Sequence, residues 1–174
     1  MEIIEGKAFL LNDNVDTDQI LPGYAMSYPV SKLKDFALIG SDIPDFAKII
    51  NEGDLIFAGN NFGCGSSREQ APIAIKSSGC GAIIASSFAR IFLRNAINVG
   101  LPVLISNRID EIRKDLVGDD VFEVDILDLI LKNITIRKSY NLEPISESTL
   151  TTLQAGGLMN KVEKILRQRG GIID

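Results

Sequence analysis

One stretch of twelve residues, Gly59-Asn-Asn-Phe-Gly-Cys-Gly-Ser-Ser-Arg-Glu-Gln70, concentrates the groups of this chain that could do chemistry. Gly63 and Gly65 permit backbone conformations barred to other residues and let a ligand approach the chain closely. Ser66 and Ser67 each stand three residues ahead of an acceptor, Glu69 or Gln70, so either serine fits a capping box at a helix start. The first turn of a helix presents free N–H groups and partial positive charge. Arg68 adds a fork of donors suited to a carboxylate. Together these groups describe a pocket for a small anion. Glycine turns with serine caps also begin helices that bind nothing, and the loop alone leaves both readings open. Three other loop chemistries fail on spacing. A P-loop needs Gly-Lys-Ser/Thr and no Lys is present; the dinucleotide fingerprint G-x-G-x-x-G is interrupted by Ser, Ser and Arg; the hydrolase elbow G-x-S-x-G is absent.

The rest of the composition narrows the chemistry. The 174 residues contain no histidine and two cysteines, Cys64 and Cys80, which are too far apart in sequence for a CxxC pair. Acid–base work therefore falls to Ser, Asp, Glu, Lys, Tyr or Cys, and a zinc or iron site held by this chain alone is not expected. A net charge of −5 with no dense basic run argues against a nucleic-acid partner. No apolar run reaches the ~18 residues of a membrane span, and Met1–Lys7 does not read as a targeting segment. A cytoplasmic protein without a membrane partner is expected.

The elements that must position the loop follow from the pattern around it. Leu55–Ala58 and Gly81–Ala85 are short apolar runs bounded by glycine, fit for buried strands, and Leu101–Ile105 is a third. Helices are predicted between them, over Ser67–Ser77 and over Ser87–Asn98 with Gly100 as its stop. That alternation calls for parallel strands joined by crossover helices. Upstream, Glu2–Leu11 reads as a strand around a polar turn at Glu5-Gly6-Lys7. Asn12–Asp18 reads as an acidic loop, and Ser31–Leu38 and Pro44–Ile50 as short helices. Downstream, a helix over Asn107–Leu116 precedes strands over Val121–Ile126 and Leu129–Ile136. Helices over Ser148–Ala155 and Leu158–Arg169 flank Gly156-Gly157. No repeat, linker or low-complexity tract divides the chain, so one α/β domain over residues 1–174 is expected.

Three ordered segments resemble a known family. Gly63-Cys-Gly-Ser-Ser-Arg-Glu69 resembles the G-x-G-S-S-R-E signature of the aconitase swivel domain. Asn14-Val-Asp-Thr-Asp-Gln-Ile-Leu-Pro22 resembles the N-V-D-T-D-x-I-x-P segment of isopropylmalate isomerase small subunits, and Ala82–Asn95 resembles their next strand and helix. The likeness runs from about Gly6 to Leu104. It implies a swivelling, layered β/β/α domain. It implies a hydro-lyase subunit that isomerises 2- and 3-isopropylmalate by dehydration and rehydration, in leucine biosynthesis, and that is active only with a large iron–sulfur subunit as a heterodimer or heterotetramer. A [4Fe–4S] cluster is then expected on that partner and no cofactor on this chain, with a small hydroxy di-acid as substrate. By motif match Ser66 is the alkoxide that removes a carbon-bound proton, and backbone N–H groups at the helix start, shaped by Gly63, Gly65 and Glu69, form its oxyanion hole. Ser67 and Arg68 grip substrate oxygens. Asp18 joins the catalytic set by pairing with groups of the large subunit. Asp16 is read as a solvated loop residue, and Arg90 and Arg94, one helical turn apart, as surface or subunit contacts.

The chain departs from the family where substrates are distinguished. Many of these small subunits continue Pro-x-Arg-Tyr-Leu; here the run is Pro22-Gly-Tyr-Ala-Met-Ser-Tyr28, and no Arg precedes Arg68. Gly23, Tyr24, Ala25, Met26 and Tyr28 form the expected specificity loop, an apolar wall with two hydroxyls. Lys32 and Lys34 are the nearest cations, on an exposed helix face. Gln70 replaces a frequent His. The alternatives are a relative acting on dimethylmalate, citramalate/citraconate or homoaconitate, and a non-enzymatic anion-binding regulatory module with the same fold.

Overall fold

The structure is a computed structural model that describes residues 3–168. Four strands, β1 (Ile3–Leu10), β2 (Leu55–Ala58), β3 (Ala82–Ala85) and β4 (Val103–Ile105), lie parallel in the order β4-β3-β2-β1. Every residue of β2 and β3 is buried. Their sequences do not alternate because both faces of this half of the sheet are covered. Ile56, Ala58, Ile83, Ala85 and Val103 face one core; Leu55, Phe57, Ala82, Ile84 and Leu104 face a second.

Helices cover the first core. Between β1 and β2 come α1 (Thr17–Ile20), two 3-10 helices (Gly23–Ser27 and Val30–Phe36) and α2 (Phe46–Ile49). The crossovers are α3 (Gln70–Ser77) and α4 (Arg90–Val99), whose Phe92 and Ala96 enter the same core. The second core is closed by the sheet itself. After α5 (Ile109–Asp115), β5 (Val121–Asp125) pairs antiparallel with β1, and β6 (Ile130–Asn133) and β7 (Lys138–Asn141) extend it. Phe122, Val124, Leu131 and Tyr140 pack into the cluster of Leu55, Phe57 and Ile84. Phe57 and Phe122 meet edge to face at 4.8 Å. The sheet therefore curls over its own face, giving the β/β/α layering of an α/β protein. Truncating such a buried Phe to Ala costs about 3–5 kcal/mol. α6 (Glu147–Gln154) and α7 (Leu158–Gln168) pack against α4.

Several boundaries differ from the sequence reading. Glu5-Gly6-Lys7 does not interrupt β1; Gly6 lies so close to the Gly53–Asp54 backbone that a Cβ would come within 2.4 Å of the Gly53 carbonyl. Pro29, not Ser31, precedes the second 3-10 helix, and α2 keeps only four residues. The run Leu129–Ile136 is not one strand. The Asn133 side chain accepts from the Ile136 amide and Arg137 takes a left-handed φ of 57°, which turns the chain into β7. Gly100 does stop α4, in left-handed conformation. Glu2 and Arg169 lie outside the described residues. No helix among the described residues is long and apolar enough to cross a membrane.

Candidate active site

At the carboxyl ends of the parallel strands, where open α/β sheets bind their ligands, the pairing continues into the loops. The Leu11 amide donates to the Phe57 carbonyl, Asn14 to Asn60, Gly63 to Val15 and Thr17 to Cys64, all at 2.8 Å. On the far side the Phe62 amide donates to the Ser87 carbonyl, and the Ala89 amide to that of Phe62. The Asp13 carboxylate accepts from the Asn60 amide at 2.8 Å, and that bond, with help from the Asn60 side chain, holds its pKa below the usual range. The loop after β2 is thus held between the ends of β1 and β3.

Gly63 is required. Its φ is 78°, and a Cβ there would sit 2.2 Å from the Phe92 ring. Lacking that Cβ, the loop lies directly against α4. Gly65, at φ 96°, lies over α1, where a Cβ would be 3.1 Å from Thr17 Oγ1. Ser66 is exposed, and its Oγ lies 3.0 Å from Thr17 Oγ1; its amide donates to the same Thr17 oxygen at 3.0 Å.

This corrects the expected capping box. α3 begins only at Gln70, with Glu69 at its cap position making no side-chain bond, so neither Ser66 nor Ser67 caps it. Ser66 stands ahead of the helix, and its own amide is engaged by Thr17. The hydrogen-bond partner of the Ser66 oxygen is the Thr17 hydroxyl, not a first-turn amide. Thr17 stands inside the Asp-Thr-Asp run, but no signal in the sequence marks it as the partner of Ser66. Asp16 is not a merely solvated residue: its carboxylate accepts from the Gln19 amide at 2.8 Å while the Gln19 side chain accepts from the Asp16 amide, a complete capping box on α1.

Arg68 is turned away from bulk water, with 16% of its side chain exposed. Its Nη1 donates to Asp18 Oδ1 at 2.7 Å and to the Leu21 carbonyl at 3.0 Å. Asp18 was expected to pair with the large subunit; within this chain it pairs with Arg68, and 70% of its side chain stays exposed. Gly23 lies beside that guanidinium: a Cβ there would be 3.6 Å from Nη2. Of the expected specificity loop, Tyr24, Met26 and Tyr28 are exposed, with both tyrosine rings against Phe36. Ala25 does not belong to that wall, because it is fully buried in the helical core and anchors the turn instead. Lys32 is exposed and pairs loosely with Asp35 at 4.0 Å.

Ser66 opens onto a cleft of about 830 Å³ whose other walls include Asn61, Phe88, Arg90, Ile91 and Arg94. Arg90 and Arg94, read from sequence as surface or subunit contacts, thus share a cleft with Ser66. Neither forms an ion pair among the described residues. The pairing that folds Phe88 beside Phe62 brings them there, and no local pattern signals it. Both cysteines are free thiols. Cys80 is buried, and loss of hydration pushes its pKa up to about 12; Cys64 points at the Asn14 carbonyl. Among the described residues no group of three or more His, Cys, Asp or Glu side chains is placed to hold a metal ion.

Comparison with known proteins agrees with this architecture. Residues 40–108 match the model of the aconitase C-terminal domain. The 3-isopropylmalate dehydratase small subunit of Hydrogenobaculum sp. is 46% identical over 159 residues, covering 90% of this chain and 94% of that one. The methanogen homoaconitase small subunit of Methanothermobacter thermautotrophicus is 43% identical over 94% of this chain and 93% of its own length. The crystal structure of 3-isopropylmalate dehydratase from Methanocaldococcus jannaschii superposes with a TM-score of 0.86 at 41% identity, over 97% of this chain and 99% of that one. With identity at this level across nine-tenths of its length, the chain belongs to the family of 3-isopropylmalate dehydratase small subunits, which carry the aconitase C-terminal fold.

Proposed function

We propose that residues 1–174 act as one swivelling domain, the small subunit of a hydro-lyase that interconverts 2- and 3-isopropylmalate by removing and restoring water. The observation that carries this reading is the Ser66 hydroxyl, open to an 830 Å³ cleft and 3.0 Å from the buried Thr17 hydroxyl. A serine is a very weak acid, so a serine base needs a donor at its oxygen and a cleft from which bulk water can be excluded. The cleft is open in this chain, and a large subunit would complete it.

The chain does not fit an iron–sulfur cluster. Such clusters are held by thiolates, and here one thiol is buried and protonated while the other turns into its own loop. The [4Fe–4S] cluster, and with it the activation of the departing hydroxyl, is assigned to the large subunit. This chain's own part is proton transfer and carboxylate binding. Ser66 takes the proton from the substrate carbon and returns it at the rehydration step. Arg68, fixed by Asp18 and the Leu21 carbonyl, offers its remaining N–H groups to one substrate carboxylate, and Ser67 contributes a hydroxyl. Arg90 and Arg94, without ion-pair partners among the described residues, are the cations of this cleft for the second carboxylate.

The absence of Arg from Gly23–Tyr28 favours an apolar substituent. A carboxylate against Tyr24, Met26 and Tyr28 would lose hydration without a paired cation, whereas a branched alkyl group gains about 0.8 kcal/mol per buried CH₂. The test is reconstitution. The chain alone should show no turnover. Combined anaerobically with its large subunit, it should act on 3-isopropylmalate with a kcat/KM well above that for homocitrate or citrate. Turnover by the chain alone would sink the two-subunit reading; preference for a tricarboxylate would sink the substrate assignment.

A further inference from the structure

We infer that Thr17 is a positioning residue for the reaction: its hydroxyl donates a hydrogen bond to Ser66 Oγ and holds that oxygen as the proton acceptor. The inference rests on the reading of Ser66 as the base and names the group that makes it one.

Protons and lone pairs fix the direction of the bond. Thr17 Oγ1 lies 3.0 Å from Ser66 Oγ and 3.0 Å from the Ser66 amide nitrogen. An N–H can only donate, so Thr17 Oγ1 accepts there and keeps its own proton for another partner. Among the described residues the only acceptor bonded to it is Ser66 Oγ. When Ser66 has lost its proton to water, its oxygen can only accept, so the bond must then run from Thr17 to Ser66. The proton taken from the substrate carbon ends on Ser66 Oγ, and the electron pair of the broken C–H bond stays on the substrate. Thr17 keeps its proton throughout. A donor aimed at the site where charge sits, and fixed before the reaction, is the arrangement that stabilises an oxyanion.

Three features hold the Thr17 hydroxyl in place. Thr17 is 2% exposed, so its hydroxyl does not exchange freely between Ser66 and bulk water. It is the first residue of α1, whose capping box closes around Asp16 and Gln19. Its amide donates to the Cys64 carbonyl at 2.8 Å, which ties α1 directly to the loop that carries Ser66. Branching at Cβ restricts χ1, so a fixed backbone fixes the hydroxyl. Gly65 leaves room for the hydroxyl, since a Cβ there would press to 3.1 Å from Thr17 Oγ1.

The test uses the complex assembled with the large subunit and compares Thr17→Val, Thr17→Ser and Ser66→Ala. Thr17→Val should lower kcat ~10²–10³-fold, the loss seen when one oxyanion donor is removed, with KM changed by less than about threefold. The acidic limb of its pH–rate profile should move to higher pH, because the serine oxygen has become harder to deprotonate. Thr17→Ser keeps the hydroxyl and should recover most of kcat. In a Ser66→Ala background, Thr17→Val should cost nothing further, since both changes remove one device. Full kcat and an unmoved pH limb in Thr17→Val would overturn the inference and leave Ser66 as the base. Retained turnover in Ser66→Ala would instead remove the reading on which it rests. If Thr17→Val does not fold, failure of Thr17→Ser to retain kcat in a folded, assembled complex overturns the inference.

Discussion

The parallel and antiparallel halves of the sheet treat their polar groups in opposite ways. In the antiparallel half several charges are answered within the fold. Lys138 pairs with Glu111 and Asp115, Asp115 accepts from the Tyr140 hydroxyl at 2.8 Å, Lys132 pairs with Glu123, and Asn133 donates to Asp120 at 2.7 Å. At the carboxyl ends of the parallel half, the backbone is knitted together but several side chains at the cleft are left open. Ser66 and Ser67 are exposed, and Arg90 and Arg94 lack carboxylate partners among the described residues. A cation can serve a ligand only with N–H groups that neighbours have not taken, and the side chains of Arg90 and Arg94 and the Nε and Nη2 groups of Arg68 make no bond among the described residues. The contrast teaches that the half with satisfied charges holds the shape, while the half with rigid backbone and unspent side chains meets the substrate. It follows that substitutions in the two halves should separate activity from stability.

The largest effect is expected at Ser66. Ser66→Ala should reduce kcat of the assembled enzyme at least ~10³-fold, as loss of a reacting group does. Tm should hardly move, because the side chain is exposed and caps nothing. A variant with near-normal kcat would break the comparison at its strongest point. Arg68→Lys comes next, with a loss of about 10²-fold in kcat/KM, the scale of a small misplacement of bound substrate. Lysine keeps the charge but cannot hold Asp18 and the Leu21 carbonyl while presenting a planar fork. A mild effect would show that Arg68 supplies charge and no geometry.

How far the sequence could be read differs between the same two halves. The parallel strands were legible because runs such as Leu55–Ala58 and Ala82–Ala85, bounded by glycine, fit few structures other than strands covered on both sides. Gly63, Gly65, Ser66 and Arg68 could be found together because they are contiguous. The helix start was misplaced at Ser67. A serine followed by Glu three residues on fits a capping box, but tertiary contacts with α1 took the Ser66 amide first. Thr17, Arg90 and Arg94 could not be placed at the site, because 49 residues separate Thr17 from Ser66 and no local rule encodes the pairing of β1, β2 and β3. In the antiparallel half the β6–β7 turn was missed. It is formed by an asparagine side chain, a common turn residue that here has no Gly or Pro beside it, and by a left-handed arginine, an uncommon one.

The smallest effect should come from Asp115, and it probes stability alone. Its carboxyl is held below the ordinary carboxylate range, first by the hydrogen bond from Lys138 and then by that from Tyr140. Asp115→Asn keeps an oxygen that can accept from Tyr140 but loses the charge facing Lys138. A group whose pKa is depressed by folding adds stability above its unfolded value, and that contribution fades as pH falls through the folded value. The wild type should therefore melt above Asp115→Asn at pH 6–7, and the gap should narrow below about pH 4, where the unfolded carboxyl takes up its proton. Both partners are partly exposed, so the gap should be small and should shrink further with salt. kcat and KM of the assembled enzyme should not change, since Asp115 lies outside the cleft that Ser66 shares with Arg90 and Arg94. Melting curves across pH 3–7 at low and high salt, run beside the kinetic assay, decide it. A gap that persists unchanged to pH 3 would mean that shape rather than charge holds this corner. A loss of turnover in a fully folded variant would mean that the two halves do not divide the labour in this way.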